Sequence, residues 1–218
     1  LLRRFFFLIM QSHKILFLVL FFLIAGTGFG QKQMQYRIPA EELKGIYIDS
    51  DEVFQIRVQT SKIQEFKITA AVEGETFESV LVDPKQENDL WRIYIKRSIG
   101  FKAFDDKLAA HKVISIVLNI EIPENKELWV RSSLASLWAE GTFKYLNVNL
   151  MSGDCNLINY LGDGVINTLR GSIYIETSNA QVEAISRNGN NETENKSDGK
   201  YHLKLKSVDG NISVSQSQ

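Results

Sequence analysis

The feature that most restricts what this chain can fold into is a nine-residue spacing of small residues: Gly153, Gly162, Gly171, Ala180 and Gly189. Extended backward, the same frame places Ala135 and Lys144 at the start of two earlier copies. Four places after each start comes an apolar residue: Ala139, Val148, Leu157, Ile166, Ile175 and Ala184. Two places after it come Leu137, Leu146, Cys155, Gly164, Ile173 and Val182. Alternation with period two describes a strand with one face buried, and a recurring small residue describes a place where the chain must turn tightly. A strand of this length cannot bury its apolar face alone, whereas strands stacked about 4.8 Å apart share one core. The expected architecture is therefore all-β, with antiparallel strands running into a β-solenoid (β-helix or β-roll-like) of nine-residue strand repeats. Cys155 falls at an inward position and reads as a small core residue, not a nucleophile.

The stretch before the repeats is also β in character. Ile46 and Ile48, then Phe54, Ile56 and Val58, then Phe66, Ile68 and Ala70 alternate with polar residues between turn-prone segments, as antiparallel strands would. Phe77 to Val82 and Leu90 to Lys96 continue the pattern, with Trp91 on the apolar face. After an irregular connection from Ser98 to Ala110, a long apolar strand runs from Val113 and stops at Pro123. Gln31 to Lys44 reads as a polar lead and 188–200 as a solvent-exposed loop. Tyr201 to Leu205 and Gly210 to Val214 then read as strands that cap the stack, followed by a frayed tail.

The first 30 residues have a different character. Arg3, Arg4, His13 and Lys14 precede the unbroken apolar run Ile15 to Ile24, and small residues at Gly28 and Gly30 precede Gln31. This is the pattern of a secretory signal peptide cleaved after Gly30, with Met10 a possible true start. Ten apolar residues fall well short of the roughly 20 needed to cross a bilayer, so no stable membrane span is expected after cleavage. The expected organisation is thus a signal peptide over 1–30, an antiparallel β region over 31–133, a solenoid over 134–214 and a tail over 215–218. Formal net charge is −1, and three of the 25 basic residues lie before Gln31, leaving a mildly acidic remainder that argues against nucleic acid as a partner.

Catalytic signatures are absent. The repeats lack the doubled glycine and regular aspartate of calcium-binding nonapeptides, and there is no G-x-S-x-G, phosphate-binding glycine loop or H-E-x-x-H. Asp105, Asp106, Lys107 and His111 read as a charged turn, and no metal or cofactor is expected. Interest falls instead on the outward positions. If two copies make one coil, residues 18 apart stack in columns, aligning Trp138, Asn156 and Tyr174 beside Glu140, Ile158 and Glu176. Aromatic rings flanked by acids and amides can bind carbohydrate, because sugar rings stack on aromatics while hydroxyls bond the polar neighbours. The expected ligand-binding residues are accordingly Trp138, Glu140, Asn156, Tyr174 and Glu176, facing a glycan or a cell-surface protein.

The end of the leader at Gly28-Phe29-Gly30-Gln31, the stretch Asp106 to Val113 before the long strand, and the Gly-x-apolar-x-apolar repeats together resemble exported bacterial proteins of the auto-transporter adhesin type. The resemblance covers roughly Gly45 to Val214 and implies a head of stacked β-coils, a surface or exported location and a role in adhesion without catalytic residues. The other readings are a polysaccharide-acting enzyme, since stacked β-coils also carry lyases and hydrolases, and a scaffold without ligand.

Overall fold

The computed structural model describes residues 31–74, 79–98, 114–194 and 199–217. Among them are fifteen strands: β1 Gln31–Pro39, β2 Gly45–Ser50, β3 Gln55–Ser61, β4 Glu65–Glu73, β5 Val80–Glu87, β6 Leu90–Arg97, β7 Ser115–Pro123, β8 Glu127–Ser132, β9 Ser136–Ser152, β10 Cys155–Arg170, β11 Ile173–Thr177, β12 Ala180–Ser186, β13 Asn191–Thr193, β14 Tyr201–Asp209 and β15 Ile212–Gln216. The fold is all-β, and the strands join in one large mixed sheet that does not close on itself. The signal-peptide segment, the Phe77 end of the strand before Val82 and the charged cluster from Asp105 to His111 lie outside the described residues.

The sheet has two limbs joined by the long strands β9 and β10. One limb runs β1-β4-β7-β3-β9-β10-β11-β15-β13 through the first halves of the long strands. The other runs β5-β6-β2-β8-β9-β10-β14-β12 through their second halves. The inner faces share one core: Phe66 on the first limb lies 6.2 Å, ring to ring, from Trp91 on the second. The Tyr36 hydroxyl donates to the Val82 carbonyl at 2.8 Å, tying β1 to β5 across the same gap. Trp91 is buried, as its alternation predicts.

The repeat is realised differently from a series of nine-residue strands. β9 and β10 are 17 and 16 residues long, so each carries two copies in a single strand that bends from one limb to the other. The 18-residue register is explicit: Cys155 pairs with Leu137 and with Ile173, and Leu157 with Ala139 and with Ile175, all in parallel. At the turn before β10, Gly153 has φ 115°, and a Cβ there would fall on the Ala135 carbonyl just before β9. Beside it, side chains hand hydrogen bonds from one strand-leading turn to the next. The Asp154 N–H donates to Ser136 Oγ at 3.1 Å, the Ser172 N–H to Asp154 Oδ1 at 2.8 Å, and the Asn211 N–H to Ser172 Oγ at 3.1 Å. Backbone donors that the turn leaves without a strand partner are satisfied in this way.

Several expectations need correction. The strands between Gly45 and Ser133 are not uniformly antiparallel: β2 pairs in parallel with β6 and β8, and β3 with β7 and β9. The polar lead contains β1, held antiparallel to β4 from Gln31 to Pro39. Its alternating half-buried residues Met34, Tyr36 and Ile38 pack against the core, which gives this polar stretch enough apolar contact to form a strand. The segment 188–200 holds the short strand β13, and Ser215 and Gln216 are paired with Glu176 and Thr177, not frayed. The last strands do not cap the stack. β14 is inserted between β10 and β12, and β15 between β11 and β13, so β12 and β13 form the end. The very apolar inner residues Leu203, Leu205, Ile212 and Val214 are buried on both sides there, which an outermost strand could not achieve.

Candidate binding face

On the outward face of the first limb, cross-strand pairing assembles two parallel rows of side chains. One row is Gln35, Thr69, Asn119, Arg57, Trp138 and Asn156, and it continues through Tyr174 to Ser213. The other is Arg37, Lys67, Glu121, Gln59, Glu140 and Ile158. Between Leu157 and Tyr160 the register with β11 shifts, so Glu176 leaves this second row and pairs with Ser215. Trp138, Asn156 and Tyr174 therefore share a row as the 18-residue spacing predicts, and Glu140 sits opposite Ile158. Trp138 is 38% exposed, Ile158 40% and Tyr174 43%, so all three present apolar surface to solvent instead of the core.

Trp138 and Glu140 also line a shallow depression of about 520 Å³ over β1, β4, β7, β3, β9 and β10. Asn156, Tyr174 and Glu176 lie beyond its rim. The depression is ringed by residues that sequence reasoning did not single out: Gln35, Thr69, Asn119, Arg57 and Gln59. Alternation alone already turns Arg57 and Gln59 outward on β3. Their approach to Trp138 depends on β3 lying next to β9, a pairing that no local signal announces.

Two of the three cations lining this face are engaged by carboxylates. Arg37 bonds Glu65 at 3.2 Å, and Lys67 lies 3.4 Å from Glu121 and 3.8 Å from Glu65. Arg57 donates to Gln55 Oε1 at 3.0 Å. Apart from Glu140, the groups left open are uncharged: Gln35, Gln59, Thr69, Asn119 and Asn156 make no side-chain hydrogen bond with any other described residue. The opposite limb behaves differently. There Tyr94 and Arg92 both bond Glu87 at 2.9 Å, Arg131 bonds Asp49 at 3.1 Å, the Arg92 guanidinium caps the Tyr47 ring at 4.6 Å, and Trp129 packs on Tyr145. That face is as aromatic, but its charged groups are largely engaged with one another.

Among the described residues the carboxylates are dispersed over both limbs. Glu183 pairs with Lys204 on the other limb, away from Glu140 and Glu176. Among the described residues no three His, Cys, Asp or Glu side chains are placed to hold a metal ion, and no helix is long and apolar enough to cross a membrane. Cys155 is fully buried, and burial pushes its thiol far above the ordinary range, which keeps it protonated and unreactive. A disulfide reagent such as Ellman's should therefore leave the native protein unlabelled for as long as it stays folded, and titrate one thiol in denaturant. Rapid labelling under native conditions would contradict the buried position.

No family model matches the chain, and no curated protein matches it in sequence. Its fold does match solved structures. A crystal structure described as a putative cell adhesion protein from Clostridium sporogenes aligns with TM-score 0.62 at 14% identity, over 86% of this chain and 100% of that one. Putative adhesins from Bacteroides fragilis (TM-score 0.35, 9% identity, 84% of this chain and 97% of that one) and Parabacteroides merdae (TM-score 0.25, 10% identity, 86% and 97%) align more loosely. Of these three, the Clostridium sporogenes protein shares the fold, and at this identity the likeness extends to the fold alone.

Proposed function

We propose that this chain is a non-enzymatic, adhesin-like protein of the cell envelope or surface that binds a polymer or protein partner through the outward face of its first limb. The observation that carries this reading is the row of exposed aromatics, Trp138 and Tyr174, brought into line two strands apart beside polar side chains that have no partner among the described residues. Exposed rings in register with free hydrogen-bonding groups suit recognition, whereas isolated exposed apolar residues need no explanation. The coils are read as a solenoid of two nine-residue copies per turn, a rigid stack that displays this face. The leader pattern over 1–30 supports export. The scattered carboxylates favour binding over catalysis, and the description of the Clostridium sporogenes protein agrees with an adhesive role.

The test is retention of envelope material, both polysaccharide and protein fractions, on the immobilised full chain. The double variant Trp138→Ala/Tyr174→Ala should retain at least about tenfold less, the equivalent of one to two stacking contacts. Equal retention by wild type and variant would remove this face from consideration.

A further inference from the structure

We infer that the depression on the first limb is a subsite for an uncharged, extended β-linked polysaccharide whose chain crosses the strands along the two outward rows; this rests on the binding role proposed above. Three features of the site converge on that class of ligand.

The first is the direction and spacing of the rows. Successive row positions are one strand apart, about 4.8 Å, which is close to the length of one pyranose unit in an extended chain. From Gln35 on β1 to Asn156 on β10 the row crosses five such intervals, about 24 Å in all. A chain lying along it would present one sugar to each strand, so the same few contacts could recur ring after ring. A peptide adding as a strand would find open backbone donors and acceptors only along the outer edge of β1, because every other strand beneath the depression is already paired on both sides.

The second is the chemistry of the open groups. Gln35, Gln59, Asn119 and Asn156 each offer both amide donors and a carbonyl acceptor, and Thr69 a hydroxyl. These match the mixed donor and acceptor character of sugar hydroxyls. Two of the three cations are not similarly available: Arg37 and Lys67 are engaged by Glu65 and Glu121. Arg57 bonds only the neutral Gln55, and its charge is offset by Glu140, which has no ion-pair partner among the described residues. An anionic polymer would have to displace those carboxylates and pass Glu140.

The third is the placement of the rings. Trp138 closes one end of the depression, and Tyr174 continues its row two strands further on, about 10 Å away, with Asn156 between them. Two stacking platforms separated by one amide fit two sugar rings flanking a third that is held by hydrogen bonds.

The experiment is calorimetric titration of the full chain with cello-, xylo- and manno-oligosaccharides from two to eight units, beside a galacturonate hexamer and at low and high salt. At least one neutral series should bind, tightening with length to about six units and then levelling, with little effect of salt because no ion pair forms. Trp138→Ala should weaken the hexamer about tenfold. Asn119→Ala, an exposed change in the middle of the row, should weaken the hexamer while leaving the dimer unchanged. Binding that ignores length, that favours galacturonate and falls with salt, or that is absent from every neutral series would overturn the inference. If the neutral sugars fail while envelope protein is still retained through Trp138 and Tyr174, the polysaccharide inference falls and the adhesive role stands. If neither is retained, both fall.

Discussion

Gly153→Val should cost the fold about 4 kcal/mol or more, a large share of the roughly 5–15 kcal/mol that holds a domain together. The reasons are local and additive. At φ 115° an L-residue with a branched side chain is strained by sterics against its own backbone. A Cβ there would also fall on the Ala135 carbonyl, which is backbone immediately before β9 and cannot swing aside as a side-chain end could. Relief requires spreading the starts of β9 and β10 at the point where the Asp154 N–H reaches Ser136 Oγ. Gly164→Ala is the informative comparison. That glycine also lies in the repeat, but its backbone is not left-handed, and a Cβ would meet Leu146 O at 3.2 Å and the methyl ends of Ile166 and Leu203 at 3.3 Å. Two of those neighbours are flexible, so the cost should be nearer 1 kcal/mol. Urea denaturation followed by circular dichroism reads both. Equal losses would mean that the turn before β10 is not a point of close approach to the start of β9.

The two glycines also mark how far the sequence alone could be read. Inside the stack, spacing carries the information: period two sends Leu137, Cys155 and Ile173 inward, and an 18-residue offset places Trp138, Asn156 and Tyr174 in one row, as the structure has them. These relations are between neighbours in a regular array, so a local pattern suffices. What spacing cannot carry is the order of strands brought together from distant parts of the chain. β14 and β15 follow β12 and β13 in sequence yet lie inside them, because burial of Leu203, Leu205, Ile212 and Val214 on both sides outweighs adjacency along the chain. β1 is similar: its residues look polar until Tyr36 and Met34 find the core and β4 supplies a ladder. The candidate face falls between these cases. Its Trp138 end was legible because it belongs to the repeat, and its Asn119 and Thr69 end was not, because it depends on the pairing of β3 with β7 and of β7 with β4.

Phe143→Ala should be comparably damaging, at about 3–5 kcal/mol, because it opens a cavity where both long strands change limb. Phe143 and Tyr160 are buried at that corner with ring centroids 5.5 Å apart and planes 23° from parallel. Neither occupies the inward second or fourth position of a repeat, so periodicity assigns the corner to turns when it is in fact an aromatic plug. The register explains how both fit: pairing of β9 with β10 shifts between Ile158 and Asp163, turning Tyr160 inward beside Phe143. The Tyr160 hydroxyl then donates to the Asp163 carbonyl at 2.9 Å, while Thr177 Oγ1 donates to the Tyr160 carbonyl at 2.6 Å. Tyr160→Phe removes only the first of these bonds and should cost about 1 kcal/mol, with the ring stack preserved. A cycle of Phe143→Ala, Tyr160→Ala and the double variant in chemical denaturation should show a coupling of about 0.5–1.5 kcal/mol between the rings. Strictly additive losses would mean that the two rings fill separate spaces, and that the bend between limbs is held by the backbone turn alone.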